Sequence, residues 1–137
     1  MTANITRLKG VHPDLVDKVL RIISAMSTLG YPMMVTDGLR TVQQQQALYA
    51  QGRTKPGKIV TYVDGIRKRS NHQAKNDGFG HAVDCCFLVD LDGDGPDDPS
   101  WAKTHPWALY GAMAHALGLV WGGSWTTLID RPHVELP

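Results

Sequence analysis

No apolar run in this sequence approaches the roughly 20 residues that a membrane-spanning helix needs, which excludes a helical span. Disulfide chemistry is missing too. The only cysteines, Cys85 and Cys86, are adjacent, and neighbouring Cα atoms about 3.8 Å apart fall short of the usual disulfide separation. Both are expected to be reduced thiols that pack as small apolar groups. Excess charge of either sign is absent, since the formal net charge is +1. A nucleic-acid binder concentrates enough Lys and Arg to neutralise several phosphates, so that class is set aside. The one basic run, Arg67-Lys68-Arg69, reads as a solvated loop. Internal repeats are lacking, and the only low-complexity stretch is Gln43 to Gln46, too short to drive aggregation. The N-terminal Met1-Thr2-Ala3-Asn4 has no signal-peptide character, which predicts synthesis as a soluble cytoplasmic protein.

What is present fits one globular domain over 1–137. The chain is 42% apolar and 20% charged, with 14 Gly and 8 Pro, a composition for a turn-rich fold with a single core. Leu15, Val16, Val19, Leu20, Ile22, Ile23 and Met26 recur at helical spacing over 13–29, and Gly30 stops the helix. Met33 to Thr36 reads as a short strand ending in Asp37-Gly38. Thr41 can cap a second helix through Tyr49, closed by Gly52. Residues 53–79 are polar and aperiodic, a long loop of the kind that usually carries function, with a hairpin expected around 59–63. Ala82 to Val89 is dense in strand formers and should be a central strand. An acidic turn at 90–98 precedes a helix at 105–117. The tail offers strands at 119–121 and 133–136 around a Gly122-Gly123 turn. Helices first and short turn-linked strands afterwards predict an α+β fold, a small antiparallel sheet flanked by helices.

A catalytic zinc site takes three ligands from His, Asp, Glu and Cys and leaves one position for water. Three segments could supply them: Ser70-Asn71-His72, Gly80-His81-Ala82-Val83-Asp84 and Asp130-Arg131-Pro132-His133-Val134-Glu135. Asp84 is an acid in an apolar strand, where an unpaired charge is costly. A buried salt bridge, a capping role or a metal would each satisfy it. His133 and Glu135 share a strand face. Asp130 stands three residues before His133, within reach of the place where a general base would act.

These segments resemble those of the zinc peptidases that include phage L-alanyl-D-glutamate endolysins and bacterial D-alanyl-D-alanine carboxypeptidases. That family carries Ser-x-His, then Gly-x-Ala-x-Asp opening a strand, and a late Asp or Glu three residues before a terminal His. Gly38-Leu39-Arg40-Thr41, followed by Gln44, is similar to its Gly-x-Arg-Thr element, and Trp121-Gly122-Gly123-Ser124-Trp125 to its Trp-Gly-Gly-Asp-Trp turn. The resemblance implies metal ligands His72, Asp84 and His133, with Asp130 as catalytic base and Arg40 contacting substrate. Eleven residues separate His72 from Asp84, more than is usual in the family, so a loop insertion over about 73–77 is expected. His81 is the competing first ligand; Ser-x-His favours His72. Ser124 stands where the family often has Asp.

The implied protein is a zinc-dependent peptidoglycan endopeptidase, an endolysin cutting stem peptides at the L-alanyl-D-glutamate bond. It would be a monomer without a wall-binding domain, acting on the wall once the membrane is permeabilised. The alternatives are a D-alanyl-D-alanine carboxypeptidase or dipeptidase, and a non-catalytic zinc module that recognises wall peptides. Separately, Asp90-Leu91-Asp92-Gly93-Asp94-Gly95 copies the opening of a calcium loop, so calcium at Asp90, Asp92 and Asp94 is a further expectation. Its twelfth position is Trp101 and not Glu.

Overall fold

The computed structural model describes residues 2–137. Helix α1 (Thr2–Arg7) leads to α2 (Pro13–Thr28), and strand β1 (Met33–Asp37) to α3 (Val42–Ala50). After a long loop come β2 (Ala82–Val89), β3 (Asp98–Ser100), α4 (Trp107–Ala116), β4 (Val120–Trp121) and β5 (His133–Glu135). The strands form one antiparallel sheet in the order β1-β2-β5-β4, with β3 also paired to β2. Phe87 is paired with both Met33 and Ser100, which puts β3 on the edge of β2 opposite β1. The α+β reading therefore holds.

The apolar face of α2 buries Leu15, Val19, Ile22, Ile23 and Met26. Trp107, Tyr110 and Ala114 of α4 and Val35, Val83 and Val134 of the sheet complete the same core. Each such aliphatic side chain contributes about 1.5–3 kcal/mol relative to exposure, so this face fixes how α2 meets the sheet. Proline at the first turn and a bond from Asp14 N–H to His12 Nδ1 (3.1 Å) begin α2. Helix α3 starts as its sequence requires: Thr41 and Gln44 form a reciprocal capping box. Cys85 and Cys86 are wholly buried free thiols, and burial pushes the Cys85 thiol up to about 12, so it stays neutral.

Two expectations change, and two elements had no expectation. The hairpin around 59–63 is not formed. Side chains take the carbonyls that a partner strand would have used: Gln51 bonds Lys58 O (3.0 Å), Arg53 bonds Thr61 O (3.1 Å) and Gln45 bonds Val63 O (2.8 Å). Helix α4 begins at Trp107, because the His105 ring is engaged outside it, bonded to Ser100 Oγ (2.7 Å) and stacked on Phe87. Helix α1 and strand β3 carried too few residues to show a period.

Candidate metal centre and active site

Register builds the site. Across three neighbouring strands Asp37 pairs with Asp84, and Asp84 with His133, after an irregularity in β1 between Val35 and Asp37. Directly opposed residues share a sheet face, so the three side chains form a row with Asp84 in the middle. Two residues along β5 from His133, Glu135 shares that face. His72 comes from the loop and is tied in by Arg40 N–H to His72 O (2.7 Å) and His72 N–H to Ser70 Oγ (3.1 Å).

The histidines are oriented by what their outer nitrogens touch. His72 Nδ1 lies 2.9 Å from Gly38 O, and a carbonyl only accepts, so Nδ1 carries the proton. His133 Nε2 likewise donates to Glu135 Oε1 (2.6 Å). Glu135 is held in turn by Asn71 Nδ2 on its other oxygen (2.6 Å). In the neutral rings the inner nitrogens, His72 Nε2 and His133 Nδ1, are therefore bare lone pairs, and they face one another at 3.2 Å. Lone pairs at that distance repel unless a proton or a cation lies between them. Asp84 adds a carboxylate, 3.4 Å from His72 Nε2 and 3.2 Å from His133 Nδ1, and its buried Oδ1 makes no hydrogen bond. One donor atom from each residue falls within 4.8 Å of the others. Two imidazoles and a carboxylate, each fixed by an outer partner, fit the donor set of a catalytic zinc.

The charges agree. Burial opposes ionisation of Asp84, but the flanking imidazoles hold its carboxyl well below the usual carboxylate range. Burial alone would lower the pKa of His133; the nearby Asp84 carboxylate and the bond to Glu135 win and lift it to about 9. The pocket thus draws positive charge to the place where the three donors converge.

Asp130 Oδ2 lies 3.8 Å from His133 Nδ1, on a carboxylate that is 44% exposed. Partial burial and the charge of Asp84 push its pKa above the usual range. Its backbone is set by Asp130 N–H to Gly122 O (3.0 Å) and His133 N–H to Asp130 O (3.2 Å). The glycine of that turn is required: a Cβ at Gly122 would meet Asp130 O at 2.4 Å. Just upstream, Leu128 has φ 48, a strained backbone for a leucine, and it lines the cleft beside Asp130. Arg40 bonds Asp37 through Nε (3.2 Å) and Nη2, bonds Gln45 through Nη1 (2.8 Å), and sits 3.8 Å from Asp84. A cleft of about 700 Å³ opens over Arg40, His72, Asp84, Asp130 and His133.

His81, the competing ligand, turns elsewhere. Its Nε2 bonds Asp77 Oδ2 (2.7 Å), with His12 3.9 Å from the same oxygen. The insertion is closed at its base by His81 N–H to Asn71 O (2.7 Å). It does not bulge outward as a whole: residues 75–78 are exposed, but Gln73 is folded inward and only 1% exposed.

The sequence and the fold match known proteins. The pattern of a peptidase M15 family described as D-alanyl-D-alanine carboxypeptidase matches residues 64–136. The peptidoglycan L-alanyl-D-glutamate endopeptidase CwlK of Bacillus subtilis is 31% identical over 126 residues, 92% of this chain and 73% of CwlK. This chain belongs to the M15 peptidase family. The peptidase is therefore a metal-dependent hydrolase of a family that acts on peptidoglycan, and zinc is the family's metal. A non-catalytic module is not the right class. The L-Ala D-Glu endopeptidase ChiX of Serratia marcescens has the same fold, with a TM-score of 0.63, 29% identity and coverage of 98% of this peptidase and 86% of ChiX. DacB of Streptococcus pneumoniae shares the fold at a TM-score of 0.54 and 19% identity, over 96% of this peptidase and 68% of DacB.

Several groups that build the peptidase site gave no sequence signal or a faint one. The Gly38 carbonyl has no side chain to read. Asn71 and Gln45 are ordinary polar residues until the fold brings Glu135 and Arg40 to them. The acidic loop does gather its carboxylates: Asp90, Asp92, Asp94 and Asp98 converge. Asp90, Asp92 and Asp98 accept backbone N–H bonds from Gly93, Asp94 and Leu91, so turn chemistry accounts for the convergence, and neither fold nor relatives support calcium. Of the tryptophans, Trp107 is core, Trp121 packs on Gly111, and Trp125 lies against His133 in the cleft wall.

Proposed function

We propose that this chain is a single-domain, monomeric endopeptidase that hydrolyses the L-alanyl-D-glutamate bond of peptidoglycan stem peptides, with zinc held by His72, Asp84 and His133. The observation that carries the site is the pair of inner imidazole nitrogens facing each other beside the unsatisfied oxygen of Asp84. The bond is supported by the likeness to CwlK and ChiX, both named for it. Zinc held there supplies Lewis acidity, which lowers the pKa of a water and polarises the scissile carbonyl. Asp130 accepts the proton of the attacking water and passes it to the leaving amine. Glu135 keeps His133 in the tautomer whose Nδ1 is free. Arg40, a permanently charged fork beside Asp84, steadies negative charge on the substrate.

Digestion of purified peptidoglycan, followed by mass analysis, tests the bond. New D-glutamyl N-termini are expected. Release of free D-alanine alone would instead establish the carboxypeptidase activity for which the family is described. The endolysin role predicts that protein accumulating inside bacteria lyses them when the membrane is permeabilised, and not before. No helix among the described residues is long and apolar enough to cross a membrane.

The two histidines can be separated. His72→Ala is expected to lose zinc and activity together, whereas His81→Ala keeps zinc and at least part of the rate. Zinc retained without His72 and lost without His81 would reverse the assignment.

Zinc binding should also depend on pH with a definite sign. In the metal-free fold the raised pKa of His133 stabilises the protein fully below its ordinary value near 6.5, and that contribution is lost as pH rises through about 9. Zinc must displace that proton. Its apparent affinity should therefore rise with pH up to about 9, by about tenfold per unit for the one proton released. Calorimetry in buffers of different ionisation enthalpy counts the proton; an affinity that is flat between pH 7 and 9 would show that His133 is not a ligand.

A further inference from the structure

The basic run Arg67-Lys68-Arg69 reads as a solvated loop in the sequence, and the fold gives it a built support. Asp64 Oδ1 accepts the backbone N–H groups of Ile66 (2.9 Å), Arg67 (2.9 Å) and Lys68 (3.2 Å). Gly65 N–H closes the turn on Lys68 O (2.9 Å). Beneath it lie two glutamines that are each only 1% exposed. Gln73 bonds Gly65 O (3.0 Å) and Ser70 N–H (2.8 Å), and Gln45 packs so tightly that a Cβ on Gly65 would meet it at 3.0 Å. A loop that only meets solvent does not need two buried amides to hold it.

This turn carries Lys68 and Arg69 into the wall of the cleft that contains His72, Asp84, Asp130 and His133. Of the cations there, Arg40 is committed to Asp37, Gln45 and Asp84. Lys68 and Arg69 are exposed and make no ion pair among the described residues. Arg69 has only a long bond to Ala74 O (3.5 Å). The acids lining the cleft, Asp84, Asp130 and Glu135, are all engaged around the metal centre. Two unpaired cations on a pre-formed turn are a site for an anion of the substrate, because little ordering remains to oppose binding.

We propose that Lys68 and Arg69 form a subsite for a free carboxylate of the peptide beside the scissile bond. This rests on the peptidase reading of the same cleft. The substrate chemistry supplies the anion: a glutamyl residue has two carboxyl groups, and continuing the chain uses at most one. The free one lies within a few bonds of the nitrogen that the cleavage releases. Lys68 and Arg69 therefore set specificity for an acidic residue on the leaving-group side, and a carboxamide at that position makes a poorer substrate.

The test compares two synthetic stem peptides that differ only in a free glutamyl carboxylate or its carboxamide. Binding is measured by calorimetry on the zinc-loaded Asp130→Asn protein, and cleavage on the zinc-loaded wild type. The carboxylate peptide is expected to bind at least roughly tenfold more tightly, the scale of a charge-assisted hydrogen bond. Lys68→Gln with Arg69→Gln should bring the ratio to within about twofold, Arg69→Lys should retain most of it, and high salt should narrow it. Equal binding of the two peptides by the unsubstituted turn, or a preference that survives the double substitution, would overturn the proposal. So would a double variant that weakens both peptides equally, which marks a structural role. If the wild type cleaves neither peptide but frees D-alanine from a D-alanyl-D-alanine peptide, the bond assignment fails, and the binding ratios still decide the subsite.

Discussion

Asp84→Asn and His133→Ala are each expected to abolish stoichiometric zinc binding and lower peptidase activity by roughly a thousandfold or more, since a metal's Lewis-acid contribution is several kcal/mol. The reason is geometric. Asp84 is the middle of the row Asp37–Asp84–His133, and its carboxylate touches both inner imidazole nitrogens. Removing its charge leaves two neutral nitrogens, an incomplete site for a catalytic zinc. His133→Ala takes away a nitrogen and also frees Glu135 from its 2.6 Å bond. Elemental analysis after dialysis reads the first effect and peptide cleavage the second. A thermal melt of each metal-free variant against metal-free wild type shows whether the fold survives. A folded Asp84→Asn protein with full zinc and full rate would remove Asp84 from the site.

Asp130→Asn is expected to keep one zinc per chain and to lose roughly two to four orders of magnitude in kcat, the usual worth of a general base. Asparagine matches the shape of the side chain, and the backbone bonds that fix residue 130 involve Gly122 and His133, so positioning should persist. Asp130 also stands 3.8 Å from His133 Nδ1 without being part of the converging donor set. The variant thus separates proton transfer from metal binding. Near-normal turnover would place the base elsewhere, and Glu135 would be the next candidate. Loss of zinc in the same variant would make Asp130 a ligand.

What the sequence disclosed depended on where each signal was local. Helix α2 was legible because seven apolar residues repeat at helical spacing, and α3 because Thr41 and Gln44 sit at capping-box positions. Strand β2 was legible as a run of strand formers interrupted by Asp84. The proposed metal ligands His72, Asp84 and His133 lie in short motifs in order along the chain, and the fold brings one donor atom of each within 4.8 Å of the others. The supporting groups were hidden because their meaning is tertiary. Gln45 looks like one of four equal glutamines, yet it is the one buried between Arg40 and the Thr61 hydroxyl and Val63 carbonyl. A hairpin was expected around 59–63, but a strand forms only where a neighbour offers its edge, and here side chains supply the bonds. The basic run looked solvated since charge runs usually are; nothing local to it announces Gln73 underneath.

The most direct test of the account is titration of metal-free protein with zinc while following hydrolysis of purified peptidoglycan, for the wild type and His72→Ala side by side. Wild-type activity should start near zero, rise linearly and level off at one zinc per chain, with His72→Ala inactive over the same range. Full activity in the metal-free wild type, or the same titration curve for His72→Ala, would contradict a catalytic zinc held by His72, Asp84 and His133.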